Sequence, residues 1–267
     1  MKGWNRSTIS GFICCFAMVI VGIASNGGIG TIAGLIHIPS MIITFGGAIF
    51  AVLITSESFA DFKDGLHSFR IAFSKENQDL DEIGDVIYQL ALVARKEGML
   101  VLEEKVETVE NPFLAKGVRL IVDGTDPELL KDILETDLLH EMEDNARRVT
   151  FWENMGGYAP AWGMLGTLLG LINMMKGMGE DPSQIGAGMS LALLTTLYGS
   201  LLANWICIPV AAKLRRSGAA KQLEKELIVE GILSIQAGDN PMVIKEKIRT
   251  FRADWEEKTA TEAGNTT

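Results

Sequence analysis

The sequence predicts an all-α integral membrane protein with four transmembrane helices. A large helical cytoplasmic loop separates the second crossing from the third, and a helical cytoplasmic tail follows the fourth. Three observations predict this class. The charged residues are absent from long runs, the charged segments between those runs carry apolar residues at helical spacing, and no segment is patterned as a strand-rich domain. The chain has 267 residues, 48% of them hydrophobic, with a formal net charge of -10.

The charge-free runs define the crossings. No Asp, Glu, Lys or Arg lies in the 50 residues between Arg6 and Glu57, the 22 between Glu153 and Lys176, or the 31 between Asp181 and Lys213. A bilayer core of about 30 Å takes about 20 apolar helical residues. The first run therefore holds two crossings, near Ser7–Ser25 and Gly34–Ser56. The others hold one each, near Phe151–Lys176 and Gly186–Ala212. Short connections rich in Gly, Ser25–Gly34 and Lys176–Gly186, make each pair a hairpin. Buried core helices of a soluble protein are the competing reading, but a charge-free run of this length suits a segment whose backbone satisfies itself in lipid.

Basic residues set the orientation. Met1–Arg6 holds two, the segment Glu57–Glu153 eleven, Lys213–Thr267 ten, and the two hairpin connections only Lys176. Both termini and the middle segment are thus expected in the cytoplasm. The organisation expected is a hairpin over 1–56, a cytoplasmic loop over 57–150, a second hairpin over 151–212, and C-terminal helices with a disordered end over 213–267. The opening MKGWNRSTISGF resembles a signal peptide, but a second apolar run follows at once, so the first helix is read as uncleaved. Cys14, Cys15 and Cys207 fall inside the crossings, which argues against a disulfide framework.

The cytoplasmic segments read as helices. Leu80, Ile83, Ile87, Leu90 and Val93 form one apolar stripe. Asn111, Pro112 and Gly124 have the residue types of a cap, a first helical position and a stop. Asp126 and Pro127 open another helix, in which Leu130, Ile133, Leu134 and Leu138 share a face. No Gly or Pro interrupts Glu128 to Met155, so this helix is expected to continue into the third crossing. Phe59, Phe62, Leu66, Phe69 and Phe73 share a face that lies either in the membrane interface or against the core. In the tail, Leu223, Leu227, Ile228 and Ile232 form one stripe. Ile244, Ile248, Phe251 and Trp255 form another beyond a break at Gly238–Pro241.

Enzymatic and metal chemistry find no support. Gly28, Gly30 and Gly34 miss the spacing of a dinucleotide fingerprint and follow no strand. There is no P-loop and no cysteine pair at metal spacing, and His37, His67 and His140 are scattered. No cofactor, metal or nucleic acid is expected. Within their charge-free runs the four crossings contain no carboxylate or amine, the groups by which a proton route is usually marked. They do offer hydroxyls at Thr167, Thr195 and Thr196, and small residues at Gly163, Gly166, Gly170 and Gly199 that admit a neighbouring helix. Pro160 and Pro209 interrupt the backbone bonding of the third and fourth crossings. This pattern has two readings: tight helix packing with Thr167 bonded to its own backbone, or a sparsely polar seam whose carboxylate comes from another chain.

Five stretches in order resemble the MotA-type subunits of the bacterial flagellar stator, within the group that includes ExbB and TolQ. They are Ile36–Ile54, Ala94–Glu104, Gly156–Ile172, Leu191–Leu214 and Gly231–Ile248. The resemblance implies a multi-pass inner-membrane subunit that forms a homo-oligomeric ring, five copies around two in the family, about a peptidoglycan-anchored MotB-like partner carrying an aspartate. It implies that Thr167, Thr195 and Thr196 line the ion path and that Pro160 and Pro209 couple ion passage to movement. It also implies that Arg95 and Glu103 push a FliG-like rotor protein. A static kink is the plain alternative for the prolines, and a solvated charged face for Arg95 and Glu103. The coupling ion is read as a proton, with sodium the alternative. An ExbB- or TolQ-like energiser of envelope processes is the alternative function.

Overall fold

The computed structural model describes residues 6–27, 34–74, 80–177 and 182–251. Among them every regular element is a helix, with no strand. It divides into two compact units. The first comprises Met1–Glu76 with Asn145–Arg216, the second Asn77–Asp144 with Ser217–Thr267.

The first unit begins with α1 (Arg6–Gly27), then α2 (Ile38–Met41), a π-helical turn (Ile42–Gly46) and α3 (Gly47–Thr55). The amphipathic helix α4 (Phe59–Phe73) follows, capped by the Ser58 side chain, which accepts from the Asp61 N–H. The long helix α8 (Pro127–Gly177) contributes its part from residue 145. Then come α9 (Pro182–Leu201), a second π-helical turn (Leu202–Cys207) and the start of α10 (Ile208–Gln236). Three described helical stretches are long and apolar enough to cross a bilayer: Thr8–Ser25, Ile38–Thr55 and one within Ile185–Gln236. Phe151–Lys176 is helical throughout but falls short of that apolarity, because glycines, Pro160, Tyr158 and Asn173 dilute its leucines.

The second unit contains α5 (Leu80–Glu97), a 3-10 turn (Met99–Val101), α6 (Leu102–Val106) and α7 (Pro112–Val122). The start of α8, the rest of α10 and a helix α11 over residues 241–251 complete it. The caps are those the sequence signals. Asn111 Oδ1 accepts from the N–H groups of Phe113 and Leu114 at 3.0 and 3.2 Å. Asp126 Oδ1 accepts from Glu128 N–H at 2.9 Å, and Gly124 and Gly238 adopt the left-handed φ of +71° that ends a helix without a Cβ penalty. Ile87, Leu114, Leu130, Leu134, Ile228 and Ile232 meet in one fully buried aliphatic core. The hairpin connections at 28–33 and 178–181, and the chain from 252 with Trp255, lie outside the described residues.

The aromatic face foreseen for α4 splits. Phe62, Phe69 and Phe73 pack inward, while Phe59 and Leu66 are exposed. Gly65 and Ser68 explain the roll of the helix. A Cβ on Gly65 would lie 2.4 Å from the Phe151 ring, so glycine alone admits that ring. Ser68 Oγ accepts from Trp152 Nε1 at 2.9 Å. Docking is therefore centred on the Gly65–Ser68 flank rather than on the five apolar residues.

Candidate functional site

α8 and α9 meet along a seam of small residues. A Cβ on Gly163 would stand 2.8 Å from the Thr195 carbonyl, and one on Gly166 2.5 Å from the Thr195 methyl. One on Gly170 would stand 2.5 Å from the Gly188 carbonyl, and one on Gly199 2.6 Å from that of Ala159. Real Cβ atoms do not approach so closely, so the backbones touch because side chains are missing. This is the geometry by which helices associate where lipid supplies no hydrophobic drive.

The three candidate threonines take different places on this seam. Thr195 is fully buried; its hydroxyl contacts the Leu191 and Ala192 carbonyls of its own helix at 2.9 and 3.0 Å. Thr167 and Thr196 reach the open side, their Oγ1 atoms 2.5 Å apart. Thr167 Oγ1 also lies 3.1 Å from both the Gly163 and Ala192 carbonyls, and Thr196 Oγ1 3.3 Å from the latter. Two hydroxyl protons serve these contacts: one hydroxyl can donate to the other, which donates to a carbonyl. Lone pairs remain on the hydroxyls, an oxygen-rich spot able to accept a proton donor or to face a hard cation. Around it the surface is apolar, with Met164, Leu168 and Leu193 exposed.

Other hydroxyls escaped the sequence reading. Thr44 Oγ1, in the first π-helical turn, donates to the Thr195 carbonyl at 3.3 Å, and Ser40 Oγ to the Leu191 carbonyl at 3.4 Å. Both side chains are fully buried and pin α2 and the first π-helical turn to α9. His37 caps α2 by accepting from Ser40 N–H, and its own N–H donates to Tyr198 Oη, which in turn donates to the Leu35 carbonyl. The signal available was two hydroxyls four residues apart within a charge-free run, whereas Thr167 stood out as the lone serine or threonine of its run.

Both prolines sit where a helix is locally special. Pro160 is inside α8, and its Cα is 3.2 Å from where a Gly199 Cβ would stand, so it lies at one of the close approaches of α8 to α9. Pro209 stands two residues beyond the π-helical turn Leu202–Cys207, after Ile208, whose N–H reaches back five residues to Ala203 O. A proline cannot donate the next backbone bond. Wide turns of this kind recur at functional sites.

Arg95 and Glu103 belong to the second unit. Arg95 is in the last turn of α5 and Glu103 in the first turn of α6. Gly98 reverses the chain between them at φ +92°. Both charges and Leu100 between them are exposed, and neither charge makes an ion pair among the described residues. Buried Leu102 and Val106 anchor α6 beneath them. Among the described residues no three His, Cys, Asp or Glu side chains come together as a metal site.

Comparison with known proteins shows the family. A profile of the MotA/TolQ/ExbB proton channel family matches residues 105–227. Motility protein A of Treponema phagedenis is 38% identical over 250 residues, covering 92% of this chain and 93% of that protein. Chemotaxis protein PomA of Vibrio alginolyticus is 36% identical over 247 residues, covering 92% and 95%. Among solved structures, C. jejuni MotAB superposes with a TM-score of 0.83 at 27% identity, covering 92% of this chain and 95% of that one. The flagellar MotAB stator complex of Bacillus subtilis gives 0.81 at 30% identity, covering 91% and 94%. With such identity along nine-tenths of its length, the chain belongs to the motility protein A group of the MotA/TolQ/ExbB family.

Proposed function

We propose that this chain is the membrane subunit of a flagellar stator, which with a MotB-like partner turns ion flow into torque on the rotor. The observation that carries the reading is the Thr167–Thr196 hydroxyl pair. It lies on an exposed apolar face of a charge-free helix pair, in a chain whose fold matches stator complexes. Such a face holds no proton by itself. A carboxylate on a partner's single membrane helix, laid against this face, would complete the route. The chain alone should therefore conduct nothing in liposomes.

Four crossings of the inner membrane follow from the charge-free runs, and cytoplasmic termini from the distribution of basic residues. They place 57–150 and 213–267 on the cytoplasmic side of hairpins 1–56 and 151–212. A ring of copies around the partner fits the breadth of exposed apolar surface. Within the seam, Thr167 and Thr196 face the ion, and Thr195 holds α9 against Gly166. A proton as coupling ion needs only a hydrogen-bonded relay. Sodium has its own support in the clustering of hydroxyl and carbonyl oxygens. Motility with and without sodium decides between them. Thr167→Val with Thr196→Val should stop swimming while leaving the complex assembled, and normal swimming would end their role.

On the second unit, Arg95 and Glu103 present unpaired charges to a FliG-like rotor protein. Exposed pairs are worth about 0–1 kcal/mol each, weak enough to release at every step. Arg95→Glu should cut motility more than Arg95→Ala, with partial rescue by charge reversal on the rotor. Pro160 and Pro209 couple ion passage to movement, so Pro→Leu variants should assemble and bind the partner yet fail to turn. Gene deletion should leave flagella built but still. TolQ- and ExbB-like energising of the envelope is less favoured, because the relatives matching nine-tenths of the chain include several motility proteins.

A further inference from the structure

From the exposed side of α4 we infer that this helix is a docking surface for anionic phospholipid headgroups of the cytoplasmic leaflet. Its buried flank is fixed by Gly65, Ser68 and Ala72. The opposite side carries Phe59, Lys63, Leu66, His67 and Arg70, spaced by four, three, one and three residues, which places them on one stripe of a helix. Phe59 is 77% and Leu66 54% exposed, a poor state in water but a natural one at the acyl boundary. Lys63 and Arg70 flank Leu66 on that stripe and make no ion pair among the described residues. The acids of the helix point elsewhere and are engaged: Asp61 Oδ2 accepts from the Ser58 hydroxyl at 2.8 Å, and Asp64 accepts from Arg148 at 2.7 and 3.4 Å.

Charge is thus sorted around the helix: cations and apolar groups share the free stripe, while the acids stand off it and are engaged. Position in the chain names the occupant. α4 starts four residues after α3, the end of the candidate span Ile38–Thr55, so its free side is held within reach of a membrane surface. Lysine and arginine stems can lie along the acyl boundary while their heads meet phosphates. A cation near an anionic leaflet gains about fivefold in binding. This inference rests on the proposed orientation, with the Thr55 end of α3 in the cytoplasm.

The test uses the full chain co-purified with its partner, in nanodiscs of phosphatidylcholine with increasing phosphatidylglycerol. The thermal unfolding midpoint should rise with the anionic lipid, and the rise should shrink at about 1 M salt, where the screening length falls to about 3 Å. Lys63→Gln with Arg70→Gln should keep the midpoint in neutral lipid but lose at least half of the rise. Phe59→Ser with Leu66→Ser should lower the midpoint in both lipids. A double charge variant that keeps the whole rise overturns the inference. So does soluble glycerophosphate that reproduces the rise in neutral nanodiscs, since the site would then hold a free anion. The orientation is read separately, from labelling of His67→Cys by an impermeant maleimide. Reaction in intact cells rather than inverted vesicles sinks the proposed topology, whatever the lipids show.

Discussion

The two units solve opposite packing problems. The second buries large aliphatic side chains, Leu102, Leu114, Leu130, Leu134, Ile228 and Ile232 among them, beneath a charged surface. The first buries Gly163, Gly166, Gly170, Ser40, Thr44 and Thr195 along and beside its α8–α9 seam and, next to a smaller core around Trp152 and Leu214, turns many of its leucines, isoleucines and methionines outward. Of the exposed large apolar residues among those described, all but five lie in the first unit. The difference follows from the solvent. In water, burying a leucine is the main gain available. In lipid that gain vanishes, and close backbone contact through small residues takes its place.

The largest expected effect pits one substitution against itself. Leu134→Ala, at a fully buried site, should destabilise the second unit by about 2–5 kcal/mol. Leu168→Ala, on the exposed face of the first, should change stability little; hydrogen exchange on the full chain in micelles reads both. Comparable losses would break the contrast. Gly170→Ala should cost about 1–3 kcal/mol by overpacking the seam against the Gly188 carbonyl. Gly11→Ala, with nothing within 4 Å of its added Cβ, should gain about 0.5–1 kcal/mol, and thermal melts of the two test how local the seam is.

Smaller effects are expected in the capped, charged unit. Asn111→Ala should cost about 1 kcal/mol as a lost cap, with faster exchange in α7 alone. The ion pairs come last, at under about 1 kcal/mol, since Lys247 and Asp137 are well exposed. The hydrogen bond to Glu230, aided by Asp239, raises the Lys247 pKa, so its contribution is complete below the ordinary lysine range and is lost as pH climbs through the raised value. The hydrogen bond from Lys116 lowers the Asp137 pKa, so that contribution is complete above the ordinary carboxylate range and is lost as pH falls. Lys247→Met should flatten the alkaline limb of stability against pH, and Asp137→Asn the acid limb.

Local signals were legible where local chemistry decides. Asn111, Pro112 and Gly124 framed α7, and the unbroken run from Glu128 to Met155 announced the length of α8. Glycine spacing at 163, 166 and 170 announced the seam. Features set by a neighbour were hidden. Nothing in the order Phe59, Phe62, Leu66, Phe69, Phe73 says which half will be buried, because the Phe151 ring over Gly65 chooses. Thr195 and Thr196 are adjacent and chemically identical, yet successive helical residues diverge by about 100°. One therefore faces the seam and the other the open side. The π-helical turns were equally silent, since a single extra residue per turn leaves no periodic mark.

The turn Leu202–Cys207 has a consequence for how this gene can vary. A π-helical turn holds one residue more than an α-turn, so it behaves as an inserted codon already absorbed. Removing exposed Asn204 should let the segment relax to ordinary α-helix, with Val210, Ala211 and Leu214 still facing their core. The same one-residue loss within Pro182–Leu201 would swing every later side chain by about 100°. A scan of single-codon deletions should therefore show an island of tolerance just before Pro209, set in a helix that accepts none.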